Sequence, residues 1–191
     1  MLHRFLRNVE FYSLLLACDK DLAAQAQELG CRRCSGQLHK AHYRRKPRGG
    51  PDELDEEFRL RFSFCCYFCR KRLTPASLRF LGQRVYLGAI LVFISAMLGD
   101  ASPSRRRRLQ AMCGADARTL GRWRQWWSAT FSQTAVWKTL SPRLALVGVP
   151  CLSIPRQLLR HQMGGSLIEA ILGVLRVLLP LSSLSSGGGS G

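Results

Sequence analysis

The chain has 191 residues, 47% of them hydrophobic and 21% charged. That is enough apolar material for one compact domain or two small ones, and too much for a disordered chain. Twenty-nine Lys and Arg against twelve Asp and Glu give a formal charge of +17, which suits polyanions as partners. The excess lies in two blocks. Residues 31–84 carry fourteen basic and five acidic groups and residues 101–143 carry nine and one, whereas the remainder has six of each.

Residues 1–30 read as a helical segment in two pieces. Leu2, Phe5, Leu6 and Val9 recur at helical spacing, as do Leu22, Ala26 and Leu29. Asp19 or Asp21 is placed to cap the second piece and Gly30 to end it. Leu15-Leu16-Ala17-Cys18 outlines a lipoprotein processing site. The apolar run before it, residues 11–17, is at the short limit for a signal and has Glu10 at its edge, so export is not expected.

Residues 31–80 read as a zinc ribbon. Cys31-Arg-Arg-Cys34 and Cys66-Tyr-Phe-Cys69 have the spacing of metal knuckles, which bring four thiolates into a tetrahedron about 2.3 Å from a structural Zn2+. Cys65 is an alternative to Cys66, and His39 and His42 are near enough in sequence to substitute. Four protein ligands close the site and leave no open position for catalysis. The long gap between the pairs requires a loop, for which Lys46-Pro-Arg-Gly-Gly-Pro51 is suited. Phe58-Arg-Leu-Arg-Phe-Ser-Phe64 alternates as a half-buried strand does and leads directly into Cys65-Cys66. Knuckle spacing in place of a disulfide pattern implies a reducing compartment. Cys18, Cys113 and Cys151 read as small buried residues.

Residues 81–140 read as a helical helix-turn-helix domain. A helix from about residue 85 to 98 is apolar but shorter than the roughly 20 residues that a membrane span needs, so it belongs to a core. A helix over 105–112, a tight turn at Cys113-Gly114 and a longer helix over 116–131 follow. Asp116 is a suitable cap, and Leu120, Trp123, Trp127 and Phe131 share one face. Trp126 reads as a further core anchor. Arg118, Arg122 and Gln125 lie on the opposite face near the helix start, where side chains reach base edges. Arg105, Arg106, Arg107 and Arg108, with the basic arm Arg44, Arg45, Lys46 and Arg48, are suited to phosphates. Gly121 costs the helix about 1 kcal/mol, which implies close packing or close approach of DNA. Residues 141–181 form a C-terminal helical packing segment whose last helix, 166–181, contains Glu169 and Arg176, charges that disfavour a membrane. Residues 182–191 are a Ser/Gly tail.

The stretch from Cys66 through Arg72-Leu-Thr-Pro-Ala-Ser-Leu-Arg-Phe-Leu-Gly-Gln-Arg-Val-Tyr-Leu87 resembles the zinc-ribbon front ends of bacterial insertion-sequence transposases. Arg118-Thr-Leu-Gly-Arg-Trp123 resembles their helix-turn-helix, and the likeness to a bacterial family found with mobile elements extends over residues 19–181. The resemblance implies double-stranded DNA as ligand, and a transposase or integrase subunit as a partner of this chain. A transposase nuclease needs three spaced carboxylates to hold two metal ions, and after Asp116 the chain has only Glu169. The expected protein is therefore mainly α with a small β zinc ribbon, a helical bundle that includes a helix-turn-helix. Its expected role is accessory or regulatory, without nuclease activity, in the bacterial cytoplasm at the nucleoid and not at a membrane. No acid–base constellation or phosphate-cradling glycine loop suggests an enzyme. The alternatives are an RNA- or ribosome-associated ribbon, and an interaction module whose C-terminal apolar helix docks on a partner or a second copy.

Overall fold

The side chain of Asn8 accepts a hydrogen bond from the Phe11 amide and opens helix α1, Val9–Glu28. The computed structural model describes residues 7–54, 56–82, 84–99 and 101–183. Leu2, Phe5 and Leu6 of the expected first helix, and residues 184–191 of the expected tail, lie outside these. Within them the fold is mainly helical with a small antiparallel β part. It divides into two compact units, residues 7–87 with 179–183 and residues 88–178. The expected N-terminal segment and ribbon thus belong to one unit, and the helix-turn-helix and most of the C-terminal segment to the other.

Helix α1 is one continuous element, because Asp19 is not a cap. Phe11, Tyr12, Leu15, Leu16, Asp19 and Ala23 form its buried stripe, with Asp19 only 1% exposed. The Asp19 carboxylate accepts from the Leu78 amide at 2.6 Å, the Ser77 hydroxyl, and Arg79 Nε at 2.7 Å. Arg79 is itself fully buried. Its remaining donors reach the carbonyl oxygens of Phe58 and Leu60, and the rings of Phe58, Phe62 and Phe80 surround its guanidinium at 5.0–5.2 Å. Gly30, with φ +73°, ends the helical run as expected. Leu29 is exposed and takes no part in the stripe.

The ribbon is a long hairpin. Strand β1 (Leu38–Lys40) pairs antiparallel with β4 (Phe64–Cys66), which pairs on its other edge with β5 (Arg72–Leu73). Strands β2 (Tyr43–Arg44) and β3 (Leu60–Arg61) continue the arms in the same register, and the Ala41 amide donates to Ser63 O between the two sheets. The expected strand over 58–64 differs at both ends of its pattern. Phe58 lies in a 3-10 turn, Glu56–Arg59, and Arg61 and Ser63 are as buried as the phenylalanines. Arg61 is accommodated because its Nη2 donates to Pro75 O, although burial pulls its guanidinium below the usual arginine range. The connecting loop is held at Arg48, whose amide donates to Val85 O and whose carbonyl accepts from the Leu87 amide.

In the second unit, helix α2 (Gly88–Leu98) is buried almost all round and packs on α3 (Pro103–Cys113), α4 (Ala117–Gln125) and α6 (Ile154–Gln162). It starts later than expected because Tyr86 and Leu87 form extended bridges to Arg48 and Phe80. Helix α5 (Ala135–Arg143) precedes α6, capped by Thr134. Helix α7 (Leu167–Ser182) opens with a reciprocal capping box, in which the Glu169 amide donates to Ser166 Oγ and the Ser166 amide to Glu169 Oε2. Its residues Ala170, Ile171, Val174, Leu175 and Leu178 are buried. Among the described residues no single helix is long and apolar enough to cross a membrane.

Removing one partner from a buried ion pair leaves the other charge uncompensated, at a cost of about 3–5 kcal/mol. Asp19→Ala should therefore destabilise the ribbon unit by that amount in urea unfolding, far more than Asp21→Ala two residues away. Equal effects would show that the buried carboxylate does not organise the unit.

Candidate metal centre and nucleic-acid interface

The two cysteine knuckles are built alike. In the first, the Ser35 amide donates to Cys31 O at 2.8 Å and the Cys31 amide to Gly36 O at 2.9 Å. In the second, the Arg70 amide donates to Cys66 O at 3.1 Å and the Cys66 amide to Lys71 O at 3.0 Å. The residue after each second cysteine has a left-handed backbone, Ser35 at φ 54° and Arg70 at φ 55°. Each turn also aims amides at a sulfur. The N–H groups of Arg33 and Cys34 draw the Cys31 thiol down to about 6. Those of Cys69 and Phe68 lower the Cys66 thiol. The Gly36 N–H faces Cys34 in the same sense, but proton sharing with Cys66 and burial push that thiol up to about 11.

The knuckles bring Cys31, Cys34, Cys66 and Cys69 together, with all four sulfurs within 4.8 Å of one another. Cys31 Sγ lies 3.6 Å from Cys69 Sγ, and Cys34 Sγ lies 3.4 Å from Cys66 Sγ. A tetrahedron with 2.3 Å metal–sulfur bonds has edges of about 3.8 Å, so four thiolates at this spacing fit one metal ion, and all four cysteines are unbonded to one another. Gly36 lines the site: a Cβ there would lie 3.1 Å from Cys66 Sγ, 3.3 Å from Cys34 Sγ and 2.5 Å from the Phe68 ring. The alternatives left open by sequence fall away. Cys65 turns its thiol to the Arg70 carbonyl, the His39 ring lies beside Tyr67, and His42 Nδ1 engages the Ser63 backbone. Of the other cysteines Cys113 is buried, Cys18 is half-buried and Cys151 is exposed, contrary to the expectation that all three are core.

The helix-turn-helix has its expected outline. Helix α3 is capped by Ser102, starts on Pro103 and ends at Gly114, which has φ +64°. Three residues, Gly114, Ala115 and Asp116, separate it from α4. The Asp116 carboxylate accepts from the Thr119 amide at 2.6 Å, and that bond holds the carboxyl below its ordinary range. Leu120, Trp123, Trp127 and Phe131 are buried. The α-helical part nevertheless ends at Gln125 and passes into a π turn over Trp126–Thr130. The wider turn lets the Trp127 and Phe131 rings meet at 4.9 Å, with Trp126 4.7 Å from Trp127. Arg118, Arg122 and Gln125 are exposed, and at 100° per residue they share one stripe with Gly121. A Cβ at Gly121 would meet nothing within 4 Å, so packing inside the chain does not account for that glycine.

Arg105, Arg106, Arg107 and Arg108 are all exposed on α3. The other basic arm is less uniform. Lys46 and Arg48 are exposed, and Arg44 pairs with Glu56 at the surface. Arg45 is not available for a phosphate: its guanidinium donates to Gly82 O and Arg84 O and lies 5.2 Å from the Phe80 ring. Sequence reasoning omitted Tyr67, Phe68, Arg70 and Arg72, which surround the second knuckle at the surface. The signal for them was the Tyr-Phe pair inside the second Cys-x-x-Cys. Comparison with protein families, curated proteins and solved structures finds no match to this chain.

Cys66→Ser should abolish stoichiometric metal binding, measured by metal analysis of purified protein, whereas Cys65→Ser should leave it unchanged. A left-handed backbone costs a non-glycine residue roughly 1–2 kcal/mol, so Ser35→Gly should raise the thermal stability of the metal-loaded protein. A lower melting temperature would contradict that account of the knuckle.

Proposed function

We propose that this chain is a zinc-stabilised duplex-DNA-binding protein that reads base edges with α4. The observation that carries this reading is the stripe Arg118, Gly121, Arg122 and Gln125. It is exposed, lacks any carboxylate, and runs the length of a short helix that follows a three-residue turn. A recognition helix inserted in the major groove presents such a stripe to base edges, with Arg suited to guanine and Gln to adenine. The bare Gly121 permits a base or backbone to approach the helix closely, which gives a reason for a residue that costs helix stability. The exposed arginines of α3 supply sequence-independent attraction to phosphates.

An all-thiolate tetrahedral set suits zinc, and a closed site of this kind supplies folding energy and no chemistry. Cys31, Cys34, Cys66 and Cys69 would hold the ion. In residues 101–183 the two carboxylates, Asp116 and Glu169, are both engaged as helix caps. That engagement supports a regulatory or transposition-accessory role over a nuclease one. The burial of the apolar residues of α7 weighs against a reading in which that helix is the docking surface.

Gly121→Ala separates fold from function. The substitution meets no neighbour and favours the helix by up to about 1 kcal/mol, so it should raise thermal stability while weakening duplex binding in electrophoretic mobility shifts. Selection of the zinc-loaded protein against a random duplex library should enrich a motif. Arg122→Ala should relax one position of that motif, and Arg106→Ala should weaken all duplexes alike and lower the salt slope by about one. Absence of any enriched motif, with Gly121→Ala binding as tightly as the parent, would remove α4 as a reading helix.

A further inference from the structure

Charge within the ribbon is segregated. Its two arms, residues 31–45 and 59–73, hold ten Lys and Arg and no Asp or Glu. The five acidic residues of this block all fall between 52 and 57 in the connecting segment. Along one face of the sheet, His39, Cys65 and Arg72 are cross-strand neighbours, and strand alternation sets Tyr43 on the same face as His39. The Arg72 guanidinium spans this face. It donates to Ala41 O at 3.0 Å and Ser63 Oγ at 3.1 Å, and lies 5.8 Å from the Tyr43 ring.

The aromatic series continues to the knuckle. The His39 ring is 5.6 Å from Tyr67, which is 5.2 Å from Phe68, and the Arg70 guanidinium lies 5.6 Å from the Tyr67 ring. These rings are open to solvent: Phe68 is 70% exposed, Tyr67 54% and Tyr43 42%. Large rings are costly to leave in water, and three of them on hairpin arms that carry no carboxylate imply a ligand with both flat π faces and negative charge. Duplex DNA keeps its base faces stacked internally, whereas a single strand presents them. His39 and Tyr43, four residues apart along extended chain, are separated by about 13 Å. The rings therefore form a track and not the single tip that inserts into a lipid surface.

We propose that this face of the ribbon is a binding platform for single-stranded nucleic acid. Unpaired bases stack on Tyr43, Tyr67 and Phe68, Arg70 holds a phosphate beside them, and Arg72 braces the face from within. The site is distinct from α4 and independent of duplex reading. Bases and phosphates are common to DNA and RNA, so the platform accepts either strand unless a 2′-hydroxyl is read.

The test is fluorescence anisotropy of the full-length, metal-loaded protein with labelled oligo-dT and oligo-U of about twelve nucleotides, within the usual range of single-strand sites. Tyr67→Ala and Phe68→Ala should each weaken binding about five- to 150-fold, the span of one base–aromatic stack. Tyr67→Phe should bind as the parent does, and Tyr67→Leu, which retains apolar bulk without a flat ring, should be as weak as Tyr67→Ala. Arg122→Ala on α4, which relaxes duplex reading, should leave the affinity for these single strands at the parent's value. Binding of either oligonucleotide with this pattern upholds the platform and identifies its strand. Metal content equal to the parent's is the control for folding of each variant. Unchanged affinity in Tyr67→Leu and Phe68→Ala would overturn the proposal in favour of bare charge attraction. So would a parent protein that binds phosphatidylserine-containing vesicles and neither oligonucleotide.

Discussion

Everything in the ribbon unit converges on a carboxylate and a guanidinium taken out of water. Asp19 and Arg79 are each essentially inaccessible and meet at 2.7 Å. Desolvating two charges is expensive, and their attraction repays it only when the remaining donors and acceptors are also satisfied. Here they are: two further donors reach Asp19, and backbone carbonyls with three aromatic rings receive Arg79. The pair joins α1 to the second arm of the hairpin and to the chain after β5. Loss of either partner would leave the other charge buried and unpaired, which ties the position of α1 to that of Arg79.

The metal knuckles apply the same logic at a second point. Thiols as far as 38 positions apart do not meet unless each turn is fixed, and each is fixed by two backbone hydrogen bonds and one left-handed residue. Neither left-handed position is a glycine. Strain at Ser35 and Arg70 is tolerated because a pair of backbone hydrogen bonds holds each turn. A charged residue at the second of these positions also keeps the knuckle rim cationic.

The legible parts of the fold were those written in local pattern. Cys-x-x-Cys spacing, the Gly114 turn, the Asp116 cap and the 3.6-residue recurrence of Leu120, Trp123 and Trp127 each depend on residues a few positions apart. What was not legible depends on distance. Asp19 reads as a helix cap because its partner lies sixty residues away, though its place in the apolar stripe of α1 was a sign of burial. Arg45 reads as a phosphate ligand because the carbonyls it serves, at Gly82 and Arg84, are remote in sequence. The π turn after Gln125 arises from three rings seeking contact, which no propensity encodes. Cys65 and Cys66 are separable only by strand alternation once the register with His39 and Leu38 is known.

The duplicated knuckle gives the hairpin an unusual relation to its own connectivity. Its arms meet at the far end through sulfurs 32 and 38 positions apart, and Asp19 and Arg79 tie α1 to the chain after β5. The segment 46–54 that joins them in sequence is therefore dispensable as a tether. A protease cut within it would leave two fragments, α1 with β1 and β2 on one side and β3 to β5 on the other, still docked as a single body. Continuity of this unit therefore resides in its clustered cysteines, its strand pairing and its buried ion pair as much as in its backbone.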